Sequence, residues 1–169
     1  MGDRGVRTYQ FQPQNYGPSV AALLAESELM PLGPGCPRLA VQPRLEALSV
    51  TKICMAGLWL YFNFLDQSHI ISQNIHTPEG SFWHAIMHRR EPDAWNSKYW
   101  WQRVREHPVL DQLRHWAPTI GYQFTTPVEF VDFCERVRDT GSSDEVLAQQ
   151  VQLLEWQLLF DYCYRLTDQ

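Results

Sequence analysis

The stretch Ile53–Leu65 reads ICMAGLWLYFNFL, and its apolar run extends ten residues from Ile53 to Phe62 before Asn63 interrupts it. A membrane-spanning helix needs about 20 apolar residues, so this run is a buried helix of a globular domain. Outward from it the helical period continues. Leu45, Leu48, Met55, Trp59 and Phe62 follow one stripe at spacings near three and four. Between Ile53 and Leu65 the other faces carry Leu60, Tyr61, Phe64 and Leu65, and a helix apolar all round is central to its domain. The pattern predicts one long buried helix from Arg44 to about Ser72.

Downstream, Thr77-Pro78-Glu79 is a helix start with Thr77 as cap, and Pro92 ends that helix near Arg90. Further helices are expected at about 95–106 and 108–116. Another follows Thr126-Pro127-Val128-Glu129, which has capping-box spacing, and the last spans about Ser143 to Leu166. Upstream, Ser19 caps a short helix, and the segment between Pro31 and Pro43 is rich in breakers. No period-2 strand pattern of useful length appears. The expected fold is all-α: a loose or draped arm over residues 1–17, then a single-domain bundle of six to seven helices over 18–169.

With 169 residues, 44% hydrophobic and 20% charged, the chain can bury a sizeable core without disulfides or metal. Its net charge of −5 gives no field that would attract a polyphosphate backbone, and no basic run exceeds Arg89–Arg90. Nucleic acid and membrane are not expected partners. The start of the chain, Met1 to Gly5, has no apolar h-region. Cys36, Cys54, Cys134 and Cys163 lie far apart, as reduced thiols of a cytoplasmic protein do.

All 6 His fall between His69 and His115, and five of the 7 Trp between Trp83 and Trp116. His84 and His88 stand at i and i+4 with Glu91 at i+7, within a sector of about 60°. If one helix runs through 44–72, Asp66 falls within about 20° of Trp59, and His69 about 80° from it. The candidate pocket therefore holds Asp66, His69, His84, His88 and Glu91, with Arg90 and Trp83 beside them. Among these, His84, His88, His69 and Asp66 are the candidate metal ligands. A set of N and O donors without Cys suits Zn, Mn, Fe or Ni, and facing helices of a bundle supply such sites. A small-molecule ligand, and in the sharp form a metal-dependent hydrolytic or oxidative enzyme, follows from that pocket. Haem with His84 or His88 as axial ligand is a variant. Read blandly, the same groups form a structural network in which Asp66 pairs with His69, His84 or Arg90.

His107 and His115 stand at helix ends and His76 in a loop. Arg89, Arg90, Arg103, Arg105 and Arg114 interleave with Trp95, Tyr99, Trp100, Trp101 and Trp116. That mixture cradles an anionic or aromatic ligand, or else is an ordinary core with Arg at its rim. A competing class is a non-catalytic interaction protein that docks through exposed Trp. The sequence does not fix the oligomeric state.

The run GSFWHAIMHRREPD at Gly80–Asp93, continuing through Asn96, Lys98, Tyr99 and Trp100 to Glu106-His107-Pro108, resembles a segment shared by an uncharacterised group of bacterial and fungal proteins. The likeness covers about residues 58–108 and implies no activity, cofactor or site residue.

Overall fold

The helix that organises the molecule is Pro78–Arg90, in which every residue from Gly80 to Arg90 is buried. Thr77 caps it, its Oγ1 accepting from the Gly80 amide, and Pro78 occupies the first turn. In this computed structural model, which describes residues 7–25 and 28–166, nine α-helices appear in the order α1 (Pro18–Leu23), α2 (Gln42–Glu46), α3 (Lys52–Tyr61), α4 (Leu65–Ser72), α5 (Pro78–Arg90), α6 (Ala94–Val104), α7 (Pro108–Trp116), α8 (Pro127–Val137) and α9 (Ser143–Arg165). Short 3-10 turns accompany them, and no strand occurs among the described residues. The fold is an all-α bundle. Among the described residues no helix is long and apolar enough to cross a membrane.

Each face of α5 meets a different neighbour. Phe82 packs edge-on to Trp101 of α6 at 4.6 Å. Trp83 lies against Gly57 of α3 and near Trp156 of α9. Arg89 reaches Glu155 and Gln152 of α9, and Arg90 reaches the breaker-rich segment before α2. His84 and His88 face α4. Serine hydroxyls fasten this packing: Ser68 Oγ donates to the Ala56 carbonyl and Ser97 Oγ to that of Ala85.

The expected continuous helix over 44–72 is three helices. The first interruption ends at Thr51, whose extended backbone starts α3. The second falls at Phe62–Phe64, where Asn63 adopts φ +67°, a left-handed conformation that Asn tolerates better than most residues. Arg90 stabilises this corner from the side, donating from Nη1 to the Leu60 carbonyl at 2.6 Å and from Nη2 to Asn63 Oδ1. Asn63 Nδ2 donates in turn to the Cys36 carbonyl. The corner resets the helical phase, so Asp66 sits exposed in the first turn of α4, where a carboxylate complements the helix dipole. The helix count rises above the expected six to seven for the same reason.

The arm is draped over the core. Tyr16 is buried against Phe160 at 5.1 Å, and its hydroxyl donates to Asp161. Residues 1–6 of the expected arm and 167–169 of the expected domain lie outside the described residues.

Gly57 marks the closest approach of α3 to α5. A Cβ there would stand 2.6 Å from Trp83 Cζ2, while the Gly57 carbonyl accepts from Trp156 Nε1 at 2.7 Å. Trp83 is fully buried and has no room to retreat. Gly57→Ala is therefore expected to destabilise by about 1–3 kcal/mol through overpacking. Urea unfolding would show it as a lower midpoint, and an unchanged midpoint would mean the α3–α5 contact is loose.

Candidate metal centre

The turn between α4 and α5 brings His69 and Ser72 of one helix opposite His84 and His88 of the next. One nitrogen each from His69, His84 and His88 lies within 4.8 Å of the others. The two α5 rings, on one helical face at i and i+4, aim their Nε2 atoms at each other, 3.0 Å apart. Both rings are buried (2% and 7% exposed), and half-buried His69 forms the side nearest solvent. The His69 centroid is 4.7 Å from that of His84 and 5.4 Å from that of His88. Trp100 of α6 covers His84 with centroids 4.1 Å apart.

The other nitrogen of each α5 ring is anchored. His88 Nδ1 lies 2.8 Å from Glu91 Oε2, and His84 Nδ1 lies 2.8 Å from Ser72 Oγ. Such outer hydrogen bonds fix the tautomer and orientation of metal-binding imidazoles. Four-coordinate zinc with Zn–N of about 2.0–2.1 Å places its ligand nitrogens about 3.3 Å apart, close to the 3.0 Å between the two α5 nitrogens, with a His69 nitrogen within 4.8 Å of both. Three imidazoles with no fixed negative charge suit zinc better than manganese, which prefers oxygen donors.

The protons can be arranged in two ways. Without metal, Ser72 O–H donates to His84 Nδ1, His84 Nε2–H donates to His88 Nε2, and His88 Nδ1–H donates to Glu91. With metal, both Nε2 lone pairs must face the ion, so His84 carries its proton on Nδ1 and donates to Ser72. The Ser72 hydroxyl then turns to the His69 carbonyl, 3.4 Å away. Both states leave the pair satisfied.

Burial, and next the neighbouring His88 and His69, bring the His84 pKa down to about 3. Burial also lowers that of His88, against the pull of Glu91. The unfolded chain thus binds more protons than the native one between about pH 6.5 and 3. Stability contributed by neutral His84 is present above pH 6.5 and is lost as pH falls towards 3. From His84 the metal-free protein is expected to lose at most about 1.4 kcal/mol per pH unit across that range. Denaturant midpoints in chelator between pH 7 and 5 check this, and a flat profile that matches His84→Phe would refute it.

Of the seven sequence-derived pocket residues, four converge: His69, His84, His88 and, through His88, Glu91. Asp66 does not join them, since its side chain is exposed to solvent while Leu65 and Ser68 of the same turn face inward. Arg90 points to the other side of α5, and Trp83 lies in the apolar core. Ser72 and Trp100 are members that the reading for this pocket missed. The H-x-x-S spacing His69–Ser72 was a usable signal, whereas nothing local indicates that Trp100 covers His84. His107 caps α7, its Nδ1 accepting from the Val109 amide, and lies 3.4 Å from Glu79. His115 stands in the last turn of α7 and His76 in an exposed loop. Of the expected Trp surface, Trp95 is 76% exposed while Trp101 is buried and Trp100 and Trp116 are half-buried. In comparisons with known proteins, no family model, curated protein or solved structure matches this chain.

Proposed function

We propose that His69, His84 and His88 bind one divalent metal ion, zinc by preference, and that the protein is a metal-dependent enzyme acting on a small molecule. The observation that carries this reading is the pair of Nε2 atoms, 3.0 Å apart, on two buried rings whose Nδ1 atoms are each held by a separate partner. A three-His zinc site keeps a position for water, whose pKa falls to about 7 there. Ser72 and Glu91 orient the rings, and Trp100 excludes bulk water from one side. Glu91 reaches the site through His88, and exposed Asp66 is not a ligand.

A second reading rests on the metal-free proton arrangement, which satisfies all four nitrogens of His84 and His88. In it the cluster is a buried polar network that fixes the packing of α4 on α5. Removing His84 then costs about 1–3 kcal/mol for the partners left unsatisfied, and no metal binds. Untagged protein, stripped with chelator and titrated with zinc against a competing dye, separates the two. One equivalent bound, and none in His84→Ala, supports the metal site. Sub-stoichiometric zinc in wild type overturns it.

An exposed free thiol, Cys36, beside three buried ones, Cys54, Cys134 and Cys163, fits a reducing compartment such as the cytoplasm. The acidic balance argues against nucleic acid as partner.

A further inference from the structure

A groove of about 480 Å³ between the start of α5 and the end of α6 shares Trp100 with the His cluster. Trp100, Ser81, Thr77, Arg103 and Arg105 line it, with Glu106 as its carboxylate. Arg38, Arg89, Lys98, Arg114, Arg138 and Arg165 each face a carboxylate. Among the described residues, Arg103 and Arg105 have no such partner, nor do Arg7, Arg44, Lys52, Arg90 and Arg136, but of these only Arg103 and Arg105 line the groove, side by side. Arg103 rests on the Tyr99 and Trp100 rings at 5.3 and 5.2 Å, which fixes its plane without consuming its hydrogen-bond donors. Arg105 has φ +57° and ψ −137°, a backbone region ordinarily left to glycine. Residues held in such conformations cluster at ligand sites. The α5 N-terminus adds its positive dipole end, and Glu79 in that turn lies by His107.

We infer that this groove binds the phosphate group of a small molecule, gripped by Arg103 and Arg105 against the wall formed by Trp100. Two planar guanidinium forks and the Ser81 hydroxyl offer more donors than one carboxylate accepts, and forked pairing suits phosphate. The volume fits a ligand of metabolite size. Trp100 touches both the groove and His84, so the bound phosphate lies next to the cluster. That this molecule is the enzyme's substrate rests on the metal reading, while the binding itself does not.

Calorimetric titration of metal-stripped and zinc-loaded protein with inorganic phosphate, phenyl phosphate and succinate tests the site. Both phosphates are expected to bind in either form, more weakly as salt is raised. Arg103→Gln and Arg105→Gly are each expected to weaken binding about tenfold or more. Arg105→Gly should keep or raise the thermal midpoint, because glycine adopts that backbone without strain, so its loss of binding is not a loss of fold. Phosphate binding without zinc binding would defeat the metal reading alone. Absence of saturable phosphate binding, preference for succinate, or binding unchanged in both variants would overturn the groove.

Discussion

Glu155→Leu is expected to lower the free energy of unfolding by about 3–5 kcal/mol, a large part of the about 5–15 kcal/mol that a domain has in total. Glu155 and Arg89 are both fully buried and doubly joined, with Nη1 3.2 Å from Oε1 and Nη2 bonded to Oε2. Gln152 accepts a further hydrogen bond from Arg89, and the guanidinium lies 4.6 Å from the Phe130 ring. Removing the carboxylate leaves a guanidinium in a core that offers only one amide oxygen and a ring face. The cost is that of the stranded charge more than of the lost attraction. The double substitution Arg89→Met with Glu155→Leu is therefore expected to recover most of the loss. Chemical denaturation of the three variants measures it. A double variant as unstable as Glu155→Leu would show that the pair itself, and not its isolation, sets the stability.

The second large effect concerns metal. His84→Ala removes a ligand and is expected to abolish stoichiometric zinc binding. Glu91→Gln and Ser72→Ala leave all three ligands and are expected to weaken zinc about 10–100-fold by releasing the ring orientation. Asp66→Asn is expected to change nothing, since that side chain faces water. Competition titrations against a zinc dye read all four. Equal losses in Asp66→Asn and Glu91→Gln would mean that general charge, and not ring anchoring, holds the ion.

Local signals were read well where the chain carries its own punctuation. Thr77 and Thr126 each accept from an amide three residues on, as their sequence context predicts, whereas Ser19 does not cap α1, which starts at Pro18 after Gly17. The run 44–72 misled because its corner depends on a residue far along the chain: Arg90 occupies the Leu60 carbonyl, and no periodicity within 44–72 encodes that. Without that corner the helical period carries Asp66 inward. His84, His88 and Glu91 were legible because they share one uninterrupted helix, whereas the Arg89–Glu155 pair joins residues 66 apart and left no local trace.

Arg90 also decides how the first quarter of the molecule is attached. It is a buried cation with no carboxylate: Gly33, Pro34 and Leu60 offer carbonyls and Asn63 an amide oxygen. Burial, and next the Arg89 charge, lower its pKa to about 9, so it stays charged at neutral pH. The Pro- and Gly-rich segment around it, which by composition resembles a linker, is thereby the solvation shell of an interior ion. A chain trimmed to begin at Arg44 would lose two of those four acceptors and let water reach the end of α5. A minimal unit cut there is expected to unfold at a lower denaturant midpoint than the full chain, although the cut falls where sequence composition invites it.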